Sequence, residues 1–323
     1  MSKRAPRVLV VLKRSSWRKW VEEERDERIV ALVDAGDETV RRMRPSHIDH
    51  TETVDEVRKA LADLGAEAVW NDRPHDFRVE GRCDLVVTVG GDGTLLGASH
   101  GIGPGVPLLG VNSSPEHSIG FFCAAKKGAV RESLASALDG SLGHVELTRM
   151  RVELNGKPLH DRILNEALFC HASPAATSRY ILRLIDEDSH ESADQGADQG
   201  ADQGVDPARL IAQEEHKSSG LWVGPAAGST AAQRSAGGNI LPLDSTDLQY
   251  VVREPYRPHG QALKMTLGRV SGEQTFLIKS RMRQAKAFLD GDHLVHDVTI
   301  GDVLTLRRSN EPLVVLGLAR QAG

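Results

Sequence analysis

The chain has 323 residues, 40% of them hydrophobic and 26% charged, with a formal net charge of −5. That length exceeds what one hydrophobic core usually serves, so two domains are expected, and the acidic balance argues against sequence-independent binding to nucleic acid or to an anionic membrane. No apolar run approaches the roughly 18–20 residues a membrane helix needs, and three scattered cysteines (Cys83, Cys123, Cys170) form neither a disulfide framework nor a paired metal knuckle, the usage expected in a reducing, cytoplasmic compartment.

Residues 8–12 form an apolar run too short for a signal-peptide core and read as a first strand. The charged stretch 17–44 places Trp20, Ile29, Leu32 and Val33 near helical spacing. A helix is predicted from Thr51 or Thr53 to about Leu64, with Val54, Val57, Leu61 and Leu64 on one face and Gly65 as its stop. Residues 66–70 and 85–89 are further predicted strands, 95–99 opens a helix, 107–111 is a short buried strand and 130–138 another helix. This alternation is that of a doubly wound parallel sheet, an α/β domain over residues 1–145.

From residue 146 the rhythm changes to short alternating runs, beginning with Met150-Arg151-Val152-Glu153-Leu154 and the hairpin signal Asn155-Gly156. Runs at 181–185, 221–223, 263–267, 276–279, 287–289 and 303–306 continue the pattern. A β-rich, mostly antiparallel domain over 146–323 is expected, its last residues packing back on the first domain. Within it, Ala-Asp-Gln-Gly repeats three times over 193–204. The stretch 187–207 has almost nothing to bury and reads as a disordered acidic loop without a site. Its regularly spaced aspartates lack the spacing and terminal glutamate of a calcium-binding EF-hand.

Two glycine-rich turns carry the chemistry. Gly90-Gly91-Asp92-Gly93-Thr94 directly follows the apolar run 85–89. A buried strand ending there puts one carboxylate at the carboxyl edge of the sheet, where open α/β folds bind ligands. Glycines permit positive φ and let a polyanion approach main-chain N–H groups; a plain Asp-Gly β-turn is the alternative. The second turn, Gly224-Pro225-Ala226-Ala227-Gly228-Ser229-Thr230-Ala231, again follows a strand and precedes a predicted helix. Ser229 and Thr230 can cap that helix or bond a ligand, or the small residues simply allow a close strand–helix contact. Asp290-Gly291-Asp292 reads as a hairpin turn rather than a metal site. Cys83 and Cys170, in or beside apolar runs, read as small buried hydrophobes.

The order of Gly90-Gly91-Asp92-Gly93-Thr94, Asn165-Glu166 and Gly228-Ser229-Thr230-Ala231 resembles the NAD kinases, with closer likeness to the mitochondrial-type branch and its bacterial relatives. Gly110-Val111-Asn112-Ser113-Ser114, Lys217-Ser218-Ser219-Gly220-Leu221, Arg253-Glu254-Pro255 and Leu289-Asp290-Gly291 look like later landmarks of that branch. The resemblance implies transfer of the terminal phosphoryl group of ATP to the 2′-hydroxyl of the adenosine ribose of NAD. ATP, NAD and Mg²⁺ or another divalent cation are the implied bound groups, and a homodimer the implied assembly. Asp92 then bonds the ribose hydroxyl and accepts its proton. Gly90 shapes the turn, and the amides of Gly91, Gly93 and Thr94 hold the triphosphate with the cation. Asn165 reads the adenine edge, with Glu166 assisting there or near the metal. Asn112, Ser219, Gly228, Ser229, Thr230 and Ala231 complete the implied nucleotide contacts; Phe121 lines the dinucleotide pocket or is a plain core residue.

The departures from the family pattern concern affinity more than reaction type. Ser219 stands where the main branch has Asp, Ala232 where the family has an aromatic, and Gly224, Pro225, Ala226 and Ala227 where it has threonines. Two rival readings follow from the same residues: a lipid or sphingoid-base kinase sharing the Gly-Gly-Asp-Gly-Thr turn, and a catalytically weak NAD(P)-binding regulator.

Overall fold

The computed structural model describes residues 4–79, 81–186, 209–257 and 262–318, so the acidic repeat lies outside the described residues. The chain divides into two compact units, one holding the residues up to Glu146 with the stretch from Leu313, the other Leu147–Pro312.

In the first unit, β1 (Arg7–Leu12) lies parallel between β2 (Glu67–Asn71) and β3 (Leu85–Gly90), and β3 lies parallel to β4 (Leu108–Asn112). Every residue of β3 and β4 is buried. That is why both read as continuous apolar runs rather than alternating ones. The charged stretch after β1 forms a single π-turn and then α1 (Glu27–Asp34), whose first turn is capped by Asp26 accepting from the Ile29 amide at 2.9 Å. α2 (Met43–Asp63) begins well before the predicted start. Pro45 falls in its first turn, where the N–H it lacks has no intrahelical acceptor in any case. Val57, Ala60 and Leu61 of α2 belong to the core of this unit. Glu56 accepts the amides of Gly128 and Val130 (2.8 and 3.0 Å), fixing the start of α4 (Val130–Asp139) after α3 (Asp92–Ser99) and β5 (Ala125–Lys126). β6 (His144–Leu147) closes this stretch.

The second unit is antiparallel. Asn155 and Gly156, both at positive φ (51° and 76°), form the two-residue turn between β7 (Met150–Leu154) and β8 (Lys157–Ile163), the geometry such hairpins require. The remaining strands are β9 (Ala167–His171), β10 (Ser178–Asp186), β11 (Leu210–Ser218), β12 (Gly220–Pro225), β13 (Leu248–Arg253), β14 (Leu267–Val270), β15 (Gln274–Ser280), β16 (Ala285–Leu289), β17 (Leu294–Val298) and β18 (Val303–Arg308). They make two six-stranded sheets, ordered β11-β10-β15-β18-β7-β8 and β14-β13-β12-β9-β16-β17. Phe169, Tyr180, Tyr250 and Phe276 are central to one core drawn from both sheets. The strand predicted at 263–267 is displaced to β14, because the Lys264 and Met265 amides are held by the Glu214 carboxylate (2.9 and 2.8 Å) instead of a ladder.

β19 (Leu313–Leu316) returns to the first unit, where it pairs in parallel with β4 in a seven-stranded sheet. No described helix is long and apolar enough to cross a membrane. The three cysteines are free. Cys83 and Cys170, expected to be buried, are only partly so: Cys83 lies just ahead of β3, its thiol 3.3 Å from the Leu85 carbonyl.

Candidate functional site

β3 runs into α3 with only Gly91 between them, so Asp92 is the first residue of a helix rather than part of a free turn. Both carboxylate oxygens accept main-chain N–H groups at 2.9 Å: Oδ2 from Phe121 and Oδ1 from Phe122. The helix N-terminus adds a favourable field for the negative charge. Asp92 thus stands fixed in the wall of a cavity of about 940 Å³, together with Gly91, Gly93 and Thr94.

The glycines serve space rather than unusual φ. None of Gly90, Gly91 and Gly93 has positive φ, contrary to the sequence expectation, and Gly91 is extended at −121°. A Cβ on Gly90 would lie 2.2 Å from Thr94 Oγ1 and one on Gly91 2.6 Å from Ser118 Oγ, whereas one on Gly93 would meet nothing within 4 Å. The Thr94 amide, expected to face a phosphate, instead donates to the Gly91 carbonyl at 3.0 Å within the helix start. The amides of Gly91 and Gly93 make no such bond among the described residues.

Asn112 is 4% exposed and braces the loop after β4: its Nδ2 donates to the Ser118 carbonyl (2.9 Å) and its Oδ1 accepts from the Ser114 amide (3.2 Å). Gly120, at φ +64°, faces that amide so closely that a Cβ would lie 2.3 Å from Nδ2. This brace presents the next two amides to Asp92. Phe121 is partly buried, edge-to-face with Phe122 at 5.0 Å, so its observed contribution is its backbone. The cavity wall also contains Lys13, Arg14, Lys19, Arg73 and His75, none singled out by sequence reasoning. Their available signal was position: Lys13 and Arg14 follow β1 at the same carboxyl edge as Asp92. Behind them His50 is buried, 3.1 Å from Ser113 Oγ, its pKa pushed down to about 4 by burial and then by the Lys13 charge.

In the second unit Asn165 and Glu166 lie between β8 and β9, and one residue seats them. Asp290, 3% exposed at φ +50° in the turn between β16 and β17, accepts the amides of Leu164, Asn165 and Glu166 at 2.7, 2.7 and 3.0 Å. Its own amide donates to the Glu166 carbonyl at 2.9 Å. The expected hairpin is present, and its aspartate is an anchor. Burial, and secondarily the Asp290 charge, raise the Glu166 carboxyl to about 7. Glu166 Oε2 and Asn165 Oδ1 are buried acceptors without a hydrogen-bond partner, positions where a ligand's donors fit.

The 224–228 turn wraps this segment. A Cβ on Gly224 or Gly228 would lie 2.1 or 1.8 Å from the Asn165 carbonyl oxygen. Gln233, fully buried, donates to that oxygen at 3.4 Å and accepts from Gln249 at 3.1 Å. The predicted helix shrinks to a 3₁₀ turn (Ala226–Thr230) and one α-turn, α5 (Ala232–Ser235), without a side-chain cap. The Ser229 hydroxyl donates to the Ala226 carbonyl (2.6 Å) and accepts from the Leu241 amide (3.0 Å), so it braces the turn. Thr230 and Ala231 are partly buried, and Ser219 is exposed. The first unit thus gathers Gly90, Gly91, Asp92, Gly93, Thr94, Asn112 and Phe121, and the second gathers Asn165, Glu166 and the 228–231 turn.

Residues 2–142 match the family model of the ATP-NAD kinase N-terminal domain. A probable NADH kinase of Oryza sativa subsp. japonica is 36% identical over 246 residues, covering 72% of this chain and 70% of that protein. The NADH kinase of Arabidopsis thaliana is 36% identical over 250 residues, covering 73% and 72%. Two solved structures share the fold. One is an NAD kinase from Archaeoglobus fulgidus in complex with ATP (TM-score 0.63, 19% identity, 98% of this chain and 94% of that one). The other is yeast NADH kinase complexed with NADH (TM-score 0.63, 15% identity, 99% and 85%).

Proposed function

The chain belongs to the ATP-NAD kinase family, and from that premise we propose that it transfers the terminal phosphoryl group of ATP to the 2′-hydroxyl of the adenosine ribose of NAD, giving NADP. The observation that carries the reading is the Asp92 carboxylate, clamped by two backbone amides in the wall of a large cavity with basic residues around it. A carboxylate held at both oxygens cannot swing away, and it keeps acceptor capacity for a substrate hydroxyl. As the hydroxyl oxygen bonds to the γ-phosphorus, its proton passes to Asp92, and the bond to the bridging oxygen breaks with the electron pair leaving on ADP. The amides of Gly91 and Gly93 offer preorganised donors to the phosphates.

Among the described residues no three His, Cys, Asp or Glu side chains converge as a metal cage. A magnesium ion, which usually binds through substrate phosphates with one or two carboxylates, then enters as part of the ATP substrate. Asn165 and Glu166 supply acceptors for the adenine, with Asp290 fixing their backbone. Gly228, Ser229, Thr230 and Ala231 shape the wall behind them, and Ser219 leaves the nicotinamide end without a carboxylate. A homodimer acting in the cytoplasm completes the proposal.

NADH is the second acceptor to consider, because the two plant relatives are named NADH kinases. Family membership sets aside the lipid-kinase reading. Incubating the protein with ATP, Mg²⁺ and either NAD or NADH, and assaying the 2′-phosphorylated product, is the test. Phosphorylation of at least one acceptor is expected. No product from either would leave a nucleotide-binding regulator and end the kinase proposal.

A further inference from the structure

Lys13 is the first residue after β1, and its amide donates to the Val89 carbonyl at 2.9 Å, holding it beside the end of β3. Its side chain leaves over the glycine turn, where a Cβ on Gly90 would lie 3.0 Å from Lys13 Cβ. It lines the same cavity as Asp92. The arginines nearby are paired with acids, Arg14 with Glu23, Arg18 with Glu23 and Asp72 at 2.9 and 3.0 Å, and Arg73 with Asp76 at 3.9 Å, while the Lys19 ammonium lies over the Trp20 ring, 5.5 Å from its centroid. For Lys13 no carboxylate partner is found among the described residues, and its pKa is lowered by burial alone, with no acid raising it. Asp92, in the same wall, is engaged with two amides.

A partly buried cation without a counterion is unfavourable in the empty protein, and it attracts an entering anion more strongly than an exposed lysine does, because less water screens it. A lysine ammonium is a compact point charge suited to phosphate oxygens. The anion must be one that reaches the Asp92 turn, and in the proposed reaction the hydroxyl that Asp92 bonds attacks the transferring phosphoryl, which therefore comes to this turn. We propose that Lys13 binds the terminal phosphates of the ATP donor and offsets the charge that gathers on the transferring group. This rests on the kinase reading above. The pyrophosphate of the dinucleotide is the other source of the same chemistry, so the test separates the two.

Steady-state kinetics of Lys13→Met and Lys13→Arg give the main test. The Met variant keeps most of the stem and loses the charge. It is expected to lower kcat/KM for ATP roughly 10²-fold or more while leaving KM for NAD within about twofold, and the Arg variant should recover much of the loss. Unchanged ATP parameters would overturn the proposal. So would an equal loss toward NAD and ATP without rescue by Arg, which would assign Lys13 to the dinucleotide or to folding. A second measurement needs no variant: acetylation of Lys13 in the wild-type protein, read by mass spectrometry, should be suppressed by ATP and not by AMP or NAD. Lack of protection by ATP, or equal protection by NAD, would overturn it. A wild-type protein that phosphorylates neither acceptor but is protected by ATP would end the kinase reading while leaving Lys13 as a triphosphate ligand.

Discussion

The two glycine-rich turns have similar sequences and opposite uses. Each follows a buried strand and precedes a helical turn, β3 leading to α3 and β12 to α5. In the first, the space where side chains would stand is taken by the hydroxyl groups of Thr94 and Ser118, and at Gly93 it is open. In the second, the space at Gly224 and Gly228 is filled by a main-chain carbonyl, that of Asn165. The first turn therefore presents a carboxylate to a cavity, and the second seats the segment between β8 and β9 of the same unit. Hydroxyl residues do not separate the two cases in sequence, since Ser229 is consumed inside its own turn. What separates them is what lies against the missing Cβ.

If the second turn and its neighbours form a seat, the heaviest damage comes from removing the anchor. Asp290→Ala leaves three amides without their acceptor and places Ala at φ +50°. A loss of at least about 3 kcal/mol in urea unfolding is expected, at about 1 kcal/mol or more per orphaned amide. A loss under about 1 kcal/mol would mean that the segment reseats without Asp290.

The next effect is pH-dependent. Because the folded Glu166 carboxyl lies at about 7, above its ordinary value, its contribution is fully present at acid pH, where both folded and unfolded chains hold the proton. It is lost as pH rises through the ordinary glutamate range to about 7, on the order of 3 kcal/mol at the limit. Glu166→Gln should abolish that part of the decline when unfolding is compared between pH 4 and pH 8. An identical pH profile in both proteins would remove Glu166 as its source.

Smaller again is Gly228→Ala, which drives a methyl into the Asn165 carbonyl and should destabilise by about 1–3 kcal/mol. Gly93→Ala closes the series: with nothing near its Cβ and no positive φ, its unfolding free energy should hold or rise slightly, by up to about 1 kcal/mol of helix propensity. A fall in kcat/KM for ATP in that stable variant would mark Gly93 as the side the phosphates approach. Equal destabilisation by the two alanines would erase the distinction between the turns.

Much of this was legible in the sequence, for local reasons. β3 and β4 are apolar throughout because both their faces are covered, Asn155-Gly156 has the residues its turn demands, and Asp92 was marked by a strand that ends in glycine. What escaped depended on distant partners. The start of α2 was hidden by Pro45, a residue tolerated only because it falls in the first turn. The displaced strand at 263–267 answers to Glu214, about 50 residues away in sequence. Asp290 looked like an ordinary turn residue because its three partners lie 124 to 126 positions earlier. Lys13 resembled any charged residue at a strand end until the neutralised arginines around it were visible.

The measurement that tests the account most directly is single-turnover phosphorylation by Asp92→Asn beside the wild-type enzyme, with NAD binding and melting temperature recorded on both. The substitution is not structurally silent, because an Asn NH₂ group would face one of the Phe121 and Phe122 amides where a carboxylate oxygen now accepts it, so the folded fraction must be known. For folded protein, a phosphoryl-transfer rate lower by about 10²-fold or more is expected, with NAD affinity altered far less. A folded Asp92→Asn enzyme that transfers phosphate at near wild-type rate would contradict it.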